Sequence, residues 1–195
     1  PFLLLQFVSY FVLARGPFGF AAWAEDDFFY YAVIAGNIAE TGRSTWDGVT
    51  LTNGYHPLWT MICTGLASVF EVRSAPFFMA VWLLQAALIL WGTAVFSDLA
   101  RRISERLDFP PGGVVIAAAV YGLSGAVVGT GGMEIALLWP ILPALMLAIW
   151  RLLDAPSTGR AAIAAGLLTL AFLSRLDSVV VLGPLCLAAA ILLIR

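Results

Sequence analysis

From Pro76 onward the chain is a succession of apolar runs, and its charges stand between the runs rather than inside them. A helix that crosses a bilayer core needs about 20 mostly apolar residues. Runs at 76–97, 112–130, 134–150, 160–174 and 178–194 read as such spans. Residues 1–22 make a sixth, interrupted by Arg15 and the Gly16-Pro17 pair. The last two runs form one apolar stretch with Ser174-Arg175-Leu176-Asp177 in its middle. As a single helix it would be about 50 Å long, too long for one crossing, so a reversal is expected between Ser174 and Ser178. With 62% apolar and 11% charged residues and a mean hydropathy of +0.96, the composition lies far outside soluble usage. The expected class is an all-α, polytopic membrane protein with about six transmembrane helices. It forms one module over 1–195, with an outer loop over 23–76 and a helical bundle over 77–195.

The basic residues are all arginines, with no lysine. There is no polybasic tail and no nucleic-acid footprint, so the bilayer is the partner that the composition implies. Cys63 and Cys186 lie inside apolar runs without ligand-like spacing and read as packing residues. The opening PFLLLQFVSYFVLA has neither a basic flank nor a cleavage site and reads as part of a first span. With an apolar run at each end, the chain is expected to be a piece truncated at both ends.

Arginine bias orients the spans. If the six alternate, Arg101, Arg102, Arg106, Arg151, Arg160 and Arg195 fall on one face, the cytoplasmic one. That face carries six arginines against four acids, and the other carries four arginines against eight acids. The segment His56 to Phe70 is apolar but short, and counting it as a span would break this pattern. It reads as a juxtamembrane or re-entrant helix, with Pro57 suited to its first turn. Before it, Asp47-Gly48 and Asn53-Gly54 are both turn pairs. Gly125 and Gly129, four apart, allow close helix packing.

Against this oily background, Glu25, Asp26 and Asp27 stand together between an apolar run and an amphipathic helix. Capping that helix needs one acid; Asp26 could serve, with Asp27 favoured by the helix dipole. Three acids exceed that need, and ionisable groups kept at a membrane usually mark a functional site.

At this point the residues resemble the GT-C superfamily of polyprenyl-phosphate-sugar-dependent glycosyltransferases, which includes protein O-mannosyltransferases, aminoarabinose transferases and arabinofuranosyltransferases. Asp26-Asp27-Phe28-Phe29-Tyr30-Tyr31, followed by Ile34-Ala35, is similar to the catalytic start of the family's first outer loop. Asn53-Gly54-Tyr55-His56-Pro57-Leu58-Trp59 resembles the aromatic-proline helix that closes that loop. Gly132-Met133-Glu134 stands where the second acidic motif falls, and Ser174-Arg175-Leu176-Asp177 where many members carry a basic residue. The resemblance spans nearly the whole chain and rests on the order of these motifs and their shared face. It implies a multi-pass protein of the plasma (inner) membrane that moves a sugar from a polyprenyl-phosphate donor to a hydroxyl of a glycan, lipid or protein. The active site would face the extracytoplasmic side.

Such a transfer builds positive charge on the sugar and expels a phosphate. The acceptor hydroxyl needs a carboxylate to take its proton. On the family pattern that base is Asp27, whose spacing to Tyr31, Ile34 and Ala35 matches, while Asp26 lies one residue out of register and tunes it. The phosphate needs a guanidinium, from Arg175 first and Arg43 second. Glu134, His56, Tyr55 and Asp177 complete the implied substrate-binding set. Other readings stay open from the residues alone. Arg175 and Asp177 could pair with each other at a turn, Glu134 could cap a helix, and the aromatic residues could form an interfacial belt. His56, the only histidine, rules out a histidine-based metal site and suits hydrogen bonding to the loop or the acceptor. A divalent ion on Asp26, Asp27 and Glu134 fits by ligand type, but only some members use one, so the cofactor is left undetermined. The competing functions are a transporter, which would place its charges near the midplane, and a non-catalytic membrane assembly subunit.

Overall fold

The structure is a computed structural model and describes residues 24–128 and 131–194, so the expected span 1–22 lies outside the described residues. The described chain is all-α, with a single isolated bridge, Thr45 to Leu51, in the loop. Two short helices come first: α1 (Asp26–Thr41) and α2 (Pro57–Ala67). Then come α3 (Ala75–Leu107), α4 (Pro111–Val128), α5 (Ile135–Asp154) and α6 (Thr158–Ser174). A 3-10 turn at Leu176–Ser178 leads into α7 (Val179–Ile194). Where a reversal was expected, between Ser174 and Ser178, the helix is interrupted by this turn. Proline opens α2 in its first turn, and at 11 residues α2 is about 16 Å long, too short to span.

Local chemistry sets the ends. Gly42, at φ +71°, closes α1 in the left-handed conformation and donates its N–H to the Ile38 carbonyl. Ser74 opens α3 by accepting the Phe77 N–H. The charged segment after residue 97, expected as a connection, instead continues α3 to Leu107. Its ion pairs explain why: Asp98 binds Arg101 at 2.6 Å and Arg102 at 2.9 Å, and Arg101 binds Glu105 at 2.8 Å, all at helical spacing. The turn pairs divide. Gly48 has φ +81° and the Asp47 carboxylate accepts the Val49 and Thr50 N–H groups, whereas Gly54 keeps a negative φ in an irregular connection.

α3 and α5 lie side by side and parallel, in constant register. Gln85 meets Met133, Gly92 meets Trp139, and Arg106 meets Asp154, each pair 47 or 48 residues apart. At Gly92 a Cβ would fall 2.6 Å from the Trp139 carbonyl carbon, so only glycine allows this approach of two backbones. Pro143 has no N–H for the Trp139 carbonyl, and the Tyr121 hydroxyl from α4 donates to it at 2.7 Å. Gly125 sits directly against the Trp139 ring, so this glycine of the small-residue pair does permit close packing.

Among the described residues two helices, α3 and α5, are long and apolar enough to cross a membrane. The apolar parts of α4 and α6 are shorter than 18 residues. Leu90 and Trp91 on α3, Val115 and Ile116 on α4 and Ile163 on α6 are exposed. The buried core instead gathers Phe28 and Tyr31 of α1, Trp59 of α2, Phe77 and Val81 of α3, and Leu137 and Leu145 of α5.

Candidate functional site

Three helices hold the connection between α4 and α5 and thereby set Glu134. The Glu25 N–H donates to the Gly131 carbonyl at 2.9 Å. Gly132 has φ +86°, and a Cβ there would collide with Cγ and Cδ2 of Phe28, so both its conformation and its neighbour demand glycine. Trp59 of α2 donates its indole N–H to the Gly132 carbonyl at 2.8 Å. Gln85 of α3 accepts the Gly132 N–H at 3.2 Å and donates to the Met133 carbonyl at 3.1 Å.

Glu134 follows this clamp and is 1% exposed. It occupies the N-cap position of α5, yet its side chain makes no capping bond. The carboxylate turns instead to His56 Nε2, at 3.5 Å from Oε1, and to Arg175 Nη1, at 3.6 Å. Its Oε2 has no hydrogen-bond partner among the described residues. Capping is therefore not what the side chain does.

His56 links two elements. Its Nδ1 accepts the Leu176 N–H at 3.2 Å, which puts the proton of the neutral ring on Nε2, facing Glu134. Arg175 ends α6, donates through Nε to Asp177 Oδ1 at 2.9 Å, and presents Nη1 to Glu134. The turn pairing and the contact with the second acid thus coexist. The Arg175 hydrogen bond holds the Asp177 carboxyl below its usual range. Tyr31 accepts the His56 backbone N–H at 3.4 Å. Burial, and then the nearby Glu134 carboxylate, push its phenol above the ordinary range.

The three acids at the head of α1 separate into different roles. Glu25, not Asp26, takes the N-cap position, without a side-chain capping bond, and its side chain lies against Gly131. Asp26 and Asp27 are both exposed in the first turn, where the dipole favours them. Asp27 stands one turn before Tyr31 and adds to the negative field on its phenol, so it belongs to the face that meets Glu134. Asp26 stands one turn before Tyr30, which hydrogen-bonds Thr52 at 2.8 Å and stacks on Trp46. That row faces the loop.

Arg43 and Tyr55 stand apart from this cluster. The Arg43 guanidinium donates to the Val49 carbonyl at 3.4 Å, and the Tyr55 hydroxyl accepts from Ser44 at 2.9 Å, so both brace the loop. Of the expected set, Glu134, His56, Arg175 and Asp177 converge, with Asp27 on the adjoining helix face. Tyr31, Trp59 and Gln85 were not assigned to the site from sequence. Gln85 carried a signal, as the only amide in the run 76–97. Among the described residues no group of three His, Cys, Asp or Glu side chains is arranged to hold a metal ion. Compared with protein-family models, curated proteins and solved structures, the chain finds no match.

Proposed function

We propose that this chain is a membrane module of a GT-C-type glycosyltransferase, working at the extracytoplasmic face of a plasma membrane that it crosses about six times. The observation that carries the reading is the buried Glu134 carboxylate. It lies beside a guanidinium, under the helix face headed by Asp27, at the bundle end opposite the arginine-rich rim. From Ala75 to Ser97 is 22 residue steps of continuous uncharged helix, about 33 Å at 1.5 Å per residue, with the arginine-rich rim directly after it. That is close to the thickness of a hydrocarbon core.

In this scheme Arg175 engages the phosphate of a polyprenyl-phosphate sugar. Asp27 takes the proton of the acceptor hydroxyl as its oxygen attacks the anomeric carbon. The bond from that carbon to the phosphate oxygen breaks, and its electron pair leaves with the phosphate. Attack from the face opposite the leaving group inverts the anomeric configuration. Asp26, turned to the loop, acts only through the local field.

The test is purified protein in proteoliposomes, supplied with radiolabelled polyprenyl-phosphate sugars and hydroxyl acceptors. The expected result is transfer with inversion. Solute uptake without transfer would favour a transporter, and the absence of both would favour an assembly subunit.

A further inference from the structure

We propose that Glu134 recognises the hydroxyl on the carbon next to the anomeric centre. The site then accepts glycosyl phosphates with a free C2 hydroxyl and rejects 2-deoxy and 2-acylamino sugars. The inference rests on reading this cluster as a donor-sugar site and adds a substrate class to it.

A buried hydrogen-bonding atom without a partner costs on the order of 1–3 kcal/mol, and more when charged. Glu134 Oε2 is such an atom, on a side chain only 2% exposed. Three donors face this carboxylate, the Tyr31 hydroxyl, His56 Nε2 and Arg175 Nη1, and none of them closes on Oε2. His56 at 3.5 Å and Arg175 at 3.6 Å both stop beyond ordinary hydrogen-bond distance. His56 has no nitrogen to spare, because Nδ1 already serves Leu176. Arg175 does have capacity: Nε is spent on Asp177 and Nη1 faces Glu134, while Nη2 has no bond among the described residues. The guanidinium is also the part that reaches solvent, with the Arg175 side chain 36% exposed. A ligand would meet Arg175 first, and reaching Glu134 Oε2 would require that side chain to move aside.

The pair therefore asks for an anionic oxygen and a hydroxyl side by side, since Arg175 Nη1 stands 3.6 Å from Oε1 of the same carboxylate. On a glycosyl phosphate this is the phosphate on C1 with the hydroxyl on C2, on neighbouring carbons. The more distant ring hydroxyls do not adjoin the anion. A lipid phosphate alone offers the anion without the hydroxyl. An N-acyl group at C2 adds bulk where the carboxylate is almost fully enclosed.

The experiment is calorimetric binding of farnesyl phosphate esters to the protein in nanodiscs. The probes are farnesyl phosphate itself, its mannosyl, glucosyl and arabinofuranosyl esters, and the 2-deoxy partner of each. Wild type should bind at least one 2-hydroxy ester about ten-fold or more tighter than its 2-deoxy partner, as expected for a hydrogen bond to a charged acceptor. Glu134→Gln keeps the shape without the charge, and Glu134→Asp keeps the charge but withdraws it by one methylene. Either should shrink the ratio of hydroxy to deoxy ester binding to about three-fold or less. Equal binding of hydroxy and deoxy probes by wild type overturns the C2 assignment and leaves the donor-site reading intact. Selectivity that survives in both variants also overturns it. Failure of every ester to bind overturns both readings.

Discussion

Asp27 and Tyr31 occupy successive turns on one face of α1, and Tyr31 turns its hydroxyl to the His56 N–H beneath the Glu134 carboxylate. Asp26 shares its row with Tyr30, which is committed to Thr52 and Trp46. Neither aspartate is the N-cap, so changing either one to asparagine removes charge without removing a cap. Asp27→Asn should leave folding intact, costing at most about 0.3–1 kcal/mol of dipole interaction. It should lower sugar transfer by about 10²–10⁴-fold, the usual contribution of a general base. Asp26→Asn should stay within about ten-fold of wild type, a small change in local field. Steady-state transfer rates in proteoliposomes decide it, and near-normal turnover of a folded Asp27→Asn protein removes Asp27 from the mechanism.

Gly92 tests the bundle independently of any activity. A Cβ there meets the Trp139 carbonyl carbon at 2.6 Å and the Pro140 nitrogen at 2.8 Å, and backbone cannot rotate aside. Gly92→Ala should destabilise by about 1–3 kcal/mol, the usual cost of overpacking. At Gly166, within α6, a Cβ meets nothing within 4 Å of the described residues. Gly166→Ala should be neutral or stabilising by up to about 1 kcal/mol, from helix propensity alone. Thermal unfolding in detergent compares the two, and equal effects would mean that the α3–α5 register is wrong.

The helices after Gly54 were legible in the sequence because long apolar runs and a proline start are local signals. Pro57 opening α2 and the break at Arg175 are of that kind. The end of α3 was not legible. Hydropathy stops at residue 97, but Asp98, Arg101, Arg102 and Glu105 carry the helix on by pairing along one face. In the candidate site, Glu134, His56, Arg175 and Asp177 were named from the resemblance of their motifs, and the structure brings them together. What aims them was hidden. Trp59 and Gln85 reach Gly132 across 73 and 47 residues, and no local pattern encodes such contacts. The same holds for Arg43 and Tyr55, whose partners Val49 and Ser44 are set by the fold of the loop.

Orientation in a bilayer can be read with single cysteines on a background without Cys63 and Cys186. Val49 is 74% exposed in the loop, and the Glu105 side chain is 62% exposed beside the arginines. In intact cells Val49→Cys should react with an impermeant maleimide, and Glu105→Cys should react only after permeabilisation. The reverse pattern would put the Glu134 cluster on the cytoplasmic side and end the extracytoplasmic mechanism.

The Arg175–Asp177 pair makes a prediction about acid. Its hydrogen bond holds the Asp177 carboxyl below the ordinary value of 3.8. A carboxyl whose folded value is depressed contributes stability that is present above the unfolded value and lost as pH falls through the folded one. The pair should therefore help hold the turn after α6 at neutral pH and fade below about pH 4. Asp177→Asn should lower the thermal midpoint slightly at pH 7 and not at all near pH 3, so the two melting curves converge in acid. The effect should be small, because both side chains are well exposed and water screens them. The larger consequence falls on Arg175. Freed from Asp177, its guanidinium can close on Glu134, which lies 3.6 Å away. Asp177→Asn should then weaken binding of farnesyl phosphate esters even at neutral pH, where folding is nearly unaffected. Unchanged ester affinity, with the acid convergence present, would leave the pair as a purely structural feature of the turn.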